Sequence, residues 1–431
     1  LKNNNIMKFD TIIIGGGLSG LVCGIKLAQQ GERCVIVSSG QSALHFSSGS
    51  YDLLNALPEG TAVDNPLSAL PDLIKQMPNH PYAKLGLDRF RRLVSDAESF
   101  FTNVGLPMFG SGDANHYRIT PMGTLKPTWL TSFGFATSEQ IDSLRWKKVS
   151  IFNPVGFLDF YPQFIADEFF KLGTESEIHL FDIPDLDYLR RNPTEMRSTN
   201  IARVLDRNIS LVAEILNDKS ADAEAIILPA CIGLNAIAFQ DLQKEVNKPI
   251  LLIPTMPPSI VGIYTQQYLH DHFLKLGGVY MLGDSIKKAE IENNTIKRVY
   301  SFNHGDIPFV GKNYILATGS YFSQGLIATS DRIYEPIFNL DVAYSDNRQK
   351  WYSSKMFDTQ GYQQFGVKTD NNFRGLFNGT ALDNLYVSGA ILEGFNPIKE
   401  GCGAGVSILS ALSIAESIIK INRENYEFAT T

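Results

Sequence analysis

The chain has 431 residues, 44% of them hydrophobic and 35 of them glycine, and a formal net charge of −7 at pH 7. That length and mix suit a mixed α/β protein with more than one packed unit. The acidic balance, with no basic stripe to neutralise phosphates, excludes nucleic acid as the main partner. A small phosphorylated molecule needs only a local Arg or Lys cluster and stays open.

Four scattered cysteines, Cys23, Cys34, Cys231 and Cys402, form no C-x-x-C pair. Zinc or an iron–sulfur cluster held by this chain alone is therefore not expected, no metal site is assigned, and a reducing, cytoplasmic setting is the simpler reading. No stretch reads as the roughly 18–20 apolar residues of a spanning helix. The polar residues 1–6 do not read as a signal peptide. Membrane association is expected only through another protein.

The strongest local signal comes first. Residues 9–14 read as a short buried strand that runs into Gly15-Gly16-Gly17-Leu18-Ser19-Gly20, then into a helical pattern over 21–30 that stops at Gly31. Strand, glycine turn and helix together give the G-x-G-x-x-G signature its meaning. Gly15 permits the tight turn, Gly17 lets the backbone approach a pyrophosphate, and Gly20 lets helix and strand pack closely. The helix start, with Leu18 and Ser19 in its first turn, presents N–H groups and a partial positive charge to an anion. A second strand at 33–37 ends in Ser38-Ser39-Gly40, where a dinucleotide fold places a ribose-binding carboxylate. Either the hydroxyls of Ser38 and Ser39 with the backbone hold the ribose, or the ligand differs from a standard dinucleotide.

The small-residue loop 40–50 follows, and Ser47, Ser48 and Gly49 in it are placed to line the ligand crevice. Residues 58–105 read as surface helices, by the helical spacing of apolar residues over 87–101. Residues 117–129 look like two strands and a turn carrying Arg118 and Lys126; such a pair can cradle a phosphate, although a surface hairpin is the commoner explanation. Strands at 147–152, 177–181, 225–229 and 249–253, with helices at 160–172 and, beyond 200–205, through 211–216, suggest a second α/β layer inserted into the first. Arg190, Arg191, Arg197 and Arg203 read by default as a solvated face.

The first layer resumes near residue 257 with a helix over 263–276, a strand at 279–282, and two alternating strands joined by Asn293-Asn294. A strand at 312–317 ends in Thr318-Gly319, expected at the mouth of the sheet beside the first glycine turn. Residues 320–383 are mixed and aromatic and are assigned to the inserted layer. The last signal is a strand ending at Gly389, a loop over 390–400, and Gly401-Cys402-Gly403-Ala404-Gly405 opening a helix over 406–420. This second glycine-rich helix start points bare N–H groups at whatever fills the crevice. With the first turn it brackets one elongated ligand.

That order of signatures resembles flavoproteins of the fumarate reductase and succinate dehydrogenase type. More closely, from Met7 onward, the chain resembles the B subunits of anaerobic glycerol-3-phosphate dehydrogenases. The resemblance is carried by residues 40–50, 200–203, 254–259 and 401–403. It implies a Rossmann-like flavin-binding domain of glutathione reductase type (7–75, 255–319 and 384–431) with an inserted second α/β domain (76–254 and 320–383). It further implies a flavoprotein that oxidises glycerol 3-phosphate to dihydroxyacetone phosphate with a companion catalytic A subunit that carries FAD. Electrons would pass through an iron–sulfur, membrane-anchoring C subunit to quinone, with fumarate or nitrate as terminal acceptor. The protein would lie in the cytoplasm at the inner membrane.

The family is described as using FMN in this chain, whereas Gly15, Gly17 and Gly20 are set for the pyrophosphate of FAD; both stay open here. Ala390 stands where related flavoproteins place an acid after the strand-ending glycine. No convincing base is visible, so substrate oxidation on this chain or on its companion is also open. His45 as flavin neighbour and Arg118 for the substrate phosphate are the candidates for catalysis. The alternatives are a scaffold or electron-carrying protein with a degenerate flavin site, and a free-standing dicarboxylate reductase.

Overall fold

The computed structural model describes residues 6–234 and 236–430. The chain forms two compact units. One takes the chain up to Ala43, Asp52–Gly105 and everything from Tyr268 onward; the other takes Leu44–Tyr51 and Leu106–Gln267.

The first unit is built on a six-stranded sheet. Its spatial order is Val279–Leu282, Cys34–Ser38, Thr11–Ile14, Asn313–Leu316, Thr380–Val387 and Arg374–Phe377. The first five strands are parallel and the last pair is antiparallel. Thr11–Ile14 lies inside the sheet, with Ile12 opposite Val35 on one side and Tyr314 on the other. A strand covered on both faces needs apolar residues at every position rather than alternation, and all four of its residues are buried.

Helix Leu18–Ala28 leaves that strand through the glycine turn. A Cβ on Gly20 would lie 2.0 Å from the Gly15 carbonyl oxygen, so helix and strand approach as they do only because residue 20 has no side chain. The last helix, Gly403–Thr430, runs beside the first in the same direction. Ser19 meets Ser388 and Ser388 meets Ser410 near the two starts, and Arg423 donates to the Gln30 side chain at 3.0 Å near the far ends. Helix Leu87–Asn103 covers this last helix: Arg89 donates to the Ser413 carbonyl at 2.8 Å, and Arg92 pairs with Glu416. A smaller sheet contains the hairpin Ile286–Glu292 and Thr295–Ser301. Its turn is the expected one, with Asn293 and Asn294 at φ 50° and 58°, as a two-residue turn of this hand requires.

The second unit holds a four-stranded parallel sheet, in the order Glu175–Phe181, Lys148–Pro154, Ala225–Pro229 and Ile250–Ile253. Helices Pro162–Lys171, Ser198–Leu205, Ile209–Lys219 and Ala236–Glu245 connect its strands. Two small antiparallel sheets belong to the same unit, one with Ser50–Tyr51 against Leu130–Ser132, the other with His116–Ile119 against Leu125–Thr128.

The units do not follow the boundaries expected from sequence. Residues 76–105 and 320–383 belong with the glycine-turn sheet, and 44–51 and 255–267 belong with the other unit. Two contacts explain much of this. Helix Leu87–Asn103 is tied to the last helix through Arg89 and Arg92, and strand Arg374–Phe377 closes the edge of the main sheet. The expectation that no segment has the character of a spanning helix is also corrected. Gly403–Glu424 is long and apolar enough, at a mean hydropathy of 1.6. Packing against the first helix and helix Leu87–Asn103 accounts for that composition, since Val406, Ile408, Leu409, Leu412 and Ile414 are all buried. All four cysteines are free and buried, and burial pushes the thiols of Cys23, Cys34 and Cys231 up.

Gly20→Ala drives a methyl into backbone and is expected to destabilise the chain by about 1–3 kcal/mol. Gly40→Ala, where an added Cβ meets nothing within 4 Å, is expected to stay within about 0.5 kcal/mol of the parent. Urea denaturation of both variants checks the difference; equal midpoints would contradict the close packing described at Gly20.

Candidate cofactor site

Five chain segments meet at the carboxyl edge of the main sheet: the turn 15–20, the strand end Ser38, Thr318-Gly319, Ser388-Gly389 and the start of the last helix. The parallel strand order brings the first four to one edge, and the serine contacts fix the fifth. Ser410 donates to the Val406 carbonyl at 2.6 Å, meets Ser388 at 2.9 Å and accepts the Gly389 N–H at 3.1 Å. Gly389 has φ +83°, and a Cβ there would stand 3.0 Å from that of Ser19. The two glycine signals that bracket the sequence therefore share one edge of one sheet.

Both helix starts keep donors without protein acceptors. In the first helix, Leu21 N–H closes the first turn onto the Gly17 carbonyl, while the N–H groups of Leu18 and Ser19 have no acceptor among the described residues. In the last helix, Val406 N–H bonds the Cys402 carbonyl and Gly405 N–H bonds the Asp52 carbonyl, each at 2.9 Å. The N–H groups of Gly403 and Ala404 take no protein acceptor among the described residues. Gly17 leaves its approach side open, the nearest atom to an added Cβ being that of Ser42 at 3.7 Å. At the strand mouth Thr318 Oγ1 is buried with no hydrogen-bond partner among the described residues. Bare helix-start donors, an open glycine face and one orphaned hydroxyl suit a phosphate-bearing planar cofactor. The residues fit a flavin.

The end of the second strand is closed differently. Ser38 Oγ donates to the Gly40 carbonyl at 3.0 Å, and the Ser38 carbonyl accepts Gly283 N–H and Asp284 N–H at 2.8 and 3.2 Å. Tyr280 reaches across and donates to the Gly16 carbonyl at 3.3 Å. A Cβ on Gly16 would stand 1.9 Å from that hydroxyl and 2.9 Å from Ser38 Cβ. Ser39 is exposed. Gly319 adopts φ +76° over Ser323, and Gly401, at φ +57°, lies against Asn55.

The remaining candidates belong to the second unit. His45 is half-buried, its carbonyl accepts Ser259 N–H at 2.8 Å, and desolvation holds its ring below the usual histidine range. Ser47 Oγ accepts Gly49 N–H at 3.3 Å, Ser48 meets Ser50 at 3.0 Å, and Gly49, at φ +80°, packs against Val261 and Phe135. Arg118 stands opposite Lys126 in the expected hairpin, on a sheet other than the one that holds Ser50. Sequence reading missed Ser388, Ser407, Ser410 and Tyr280, since single serines and tyrosines carry no motif. It also missed a cavity of about 660 Å³ in the second unit whose wall includes Thr131, Ser132, Phe135, Ser138 and Arg145.

Comparison with known proteins agrees with this geometry. A family model described as "FAD binding domain" matches residues 10–406, and the chain belongs to that family of flavoproteins. Its curated relatives narrow the assignment. The chain is 50% identical over 417 residues to the B subunit of the anaerobic glycerol-3-phosphate dehydrogenase of Yersinia enterocolitica, covering 96% of this chain and 98% of that one. It is 43% identical to the corresponding B subunit from Pectobacterium atrosepticum, covering 96% and 99%. The chain therefore belongs to the family of anaerobic glycerol-3-phosphate dehydrogenase B subunits. Among solved structures, a 3-ketosteroid-Δ4-(5α)-dehydrogenase from Rhodococcus jostii RHA1 matches with a TM-score of 0.40 and 9% identity, covering 96% of this chain and 97% of that one.

Thr318→Val separates a ligand-holding hydroxyl from a structural one. Without ligand, removing an unpaired buried hydroxyl is expected to leave stability unchanged or to raise it by about 1 kcal/mol. Flavin affinity is expected to fall severalfold. Denaturation of the flavin-free chain and a flavin titration read the two effects. A loss of stability with unchanged affinity would contradict the assignment.

Proposed function

We propose that this chain is the flavin-holding part of a complex that oxidises glycerol 3-phosphate, and that its flavin is FMN. The observation that carries the reading is the pair of glycine-opened helix starts brought to one sheet edge, where the N–H groups of Leu18, Ser19, Gly403 and Ala404 and the Thr318 hydroxyl have no partner among the described residues. The names of the relatives supply the substrate and the existence of companion subunits. When bound, the flavin supplies the hydride- and electron-accepting chemistry.

The protein's part follows from its donors. The first helix start and Gly17 would hold the phosphate. The last helix start presents a partial positive charge at the same sheet edge, and its fixed dipole would stabilise negative charge on a bound flavin. Thr318 Oγ1 would offer a hydrogen bond to the flavin, and the buried serines Ser19, Ser388 and Ser410 keep the two helix starts in register. Ser407 donates to the Gly403 carbonyl at 2.9 Å and stiffens the turn.

The choice of FMN over FAD rests on the strand end. Ser38 and Ser39 stand where the strand would end in an acid for an adenosine ribose, and the nearby Asp284 carboxylate is taken up by Ser285 N–H, Asn303 N–H and His304 Nδ1. The Ser38 hydroxyl and carbonyl are engaged within the protein, and Tyr280 lies over Gly16. Companion subunits of the complex would carry electrons through iron–sulfur centres to quinone and hold this chain at the membrane.

Gentle purification followed by heat release and mass measurement of the flavin tests both levels. A yellow chain that releases FMN is the expected result. Released FAD would overturn the mononucleotide reading, and a colourless chain would overturn the flavoprotein reading in favour of a scaffold. In the assembled complex, glycerol 3-phosphate is expected to bleach the flavin absorbance, and a dicarboxylate is not.

A further inference from the structure

Just ahead of the last helix, Glu400 is buried with no exposed surface. Every contact its carboxylate makes is with a donor. One oxygen accepts Asn396 N–H at 2.8 Å; the other faces His80 Nε2 at 3.2 Å and Cys402 Sγ at 3.7 Å. Its backbone carbonyl accepts Asn55 N–H and Ala56 N–H at 2.7 and 3.1 Å. His80, Asn396 and Cys402 are themselves fully buried.

The nitrogen, oxygen and sulfur of His80, Glu400 and Cys402 lie within 4.8 Å of one another, a spacing that would suit a metal ion. The tautomer argues otherwise. His80 Nδ1 accepts Tyr82 N–H at 3.0 Å, so the ring proton sits on Nε2 and points at Glu400. A protonated ring nitrogen has no lone pair for a metal. Burial favours the neutral His80 ring and pushes the Cys402 thiol up, so both remain donors to the carboxylate. Tyr82 completes the clamp by donating to the Leu53 carbonyl at 2.8 Å, and a Cβ on Gly405 would stand 2.2 Å from its hydroxyl.

A buried carboxylate is costly, and a core of the same shape could be apolar. Its place next to the free N–H groups of Gly403 and Ala404 gives it a role. The helix start carries roughly half a positive elementary charge. A carboxylate just upstream stands in the same field and subtracts from it. We propose that Glu400 is a positioning residue that fixes the 396–403 turn through three donors and tunes the bound flavin by offsetting the field of the helix start. The inference rests on the flavin reading above. Added electron density on the ring is then less stabilised than the bare helix would make it, and the flavin gives up its electrons more readily.

The test is the midpoint potential of the flavin in the full chain, with flavin occupancy measured alongside. Glu400→Gln keeps the shape and removes the charge, and the potential is expected to rise. Cys402→Ala keeps the charge and removes one donor, and the potential is expected to fall. Glu400→Asp is expected to stay nearer the parent than Glu400→Gln does. If Glu400→Gln fails to fold or to hold flavin, Cys402→Ala decides. An unmoved or oppositely moved potential at full occupancy overturns the inference and leaves the flavin reading intact. A parent chain that holds no flavin overturns both together.

Discussion

Two helices that begin at the same end of the same sheet have their positive ends side by side, and that is the constraint on which the rest of this structure turns. Parallel dipoles with like ends together repel, and N–H groups at helix starts without acceptors are a further expense when they are shielded from water. The first unit answers part of this from within. Asp52 takes one donor of the last helix, and the Gly17 and Cys402 carbonyls take the first bonds of each. The donors left over point to an anionic ligand, and the glycines keep backbone accessible to it.

Glycine does separate jobs at these positions. Gly20 and Gly405 are pressed against other parts of the protein and allow close packing; Gly17 is under no such pressure, an added Cβ meeting only Ser42 Cβ at 3.7 Å. The serine series Ser19, Ser388 and Ser410 then ties the first helix, the sheet and the last helix together at the level where the ligand would lie. Replacing such a buried, mutually bonded series one residue at a time leaves unpaired groups behind, so the series acts as a unit. The Glu400 cluster is a second buried polar network on the same helix start. Its charge opposes the one that the helix supplies.

Much of this was legible in the sequence because it is encoded locally. The run of Ile12, Ile13 and Ile14 into three glycines marks a strand buried on both faces and a tight turn, and the Asn293-Asn294 pair marks a hairpin that can take positive φ. The alternation of strands and helices over 147–253 marks a second α/β layer, and the structure shows its sheet to be parallel. What the sequence concealed depends on distant partners. Glu400 and His80 meet across 320 positions and Ser19 and Ser388 across 369, so no window of sequence contains either contact. The placement of residues 76–105 was misread for the same reason: an amphipathic helix announces that it has an apolar face but not which surface that face covers. The apolar last helix shows the converse, since burial on many sides inside a domain and immersion in lipid demand similar composition.

The most direct test of shared ligation at the two helix starts is amide hydrogen exchange on the full chain before and after its flavin is removed. Protection is expected to be lost together at 15–20 and at 403–405, with the parallel strands between them little changed. Loss at only one of these stretches, or at neither, would contradict the account, because the two helix starts would then not hold one ligand between them.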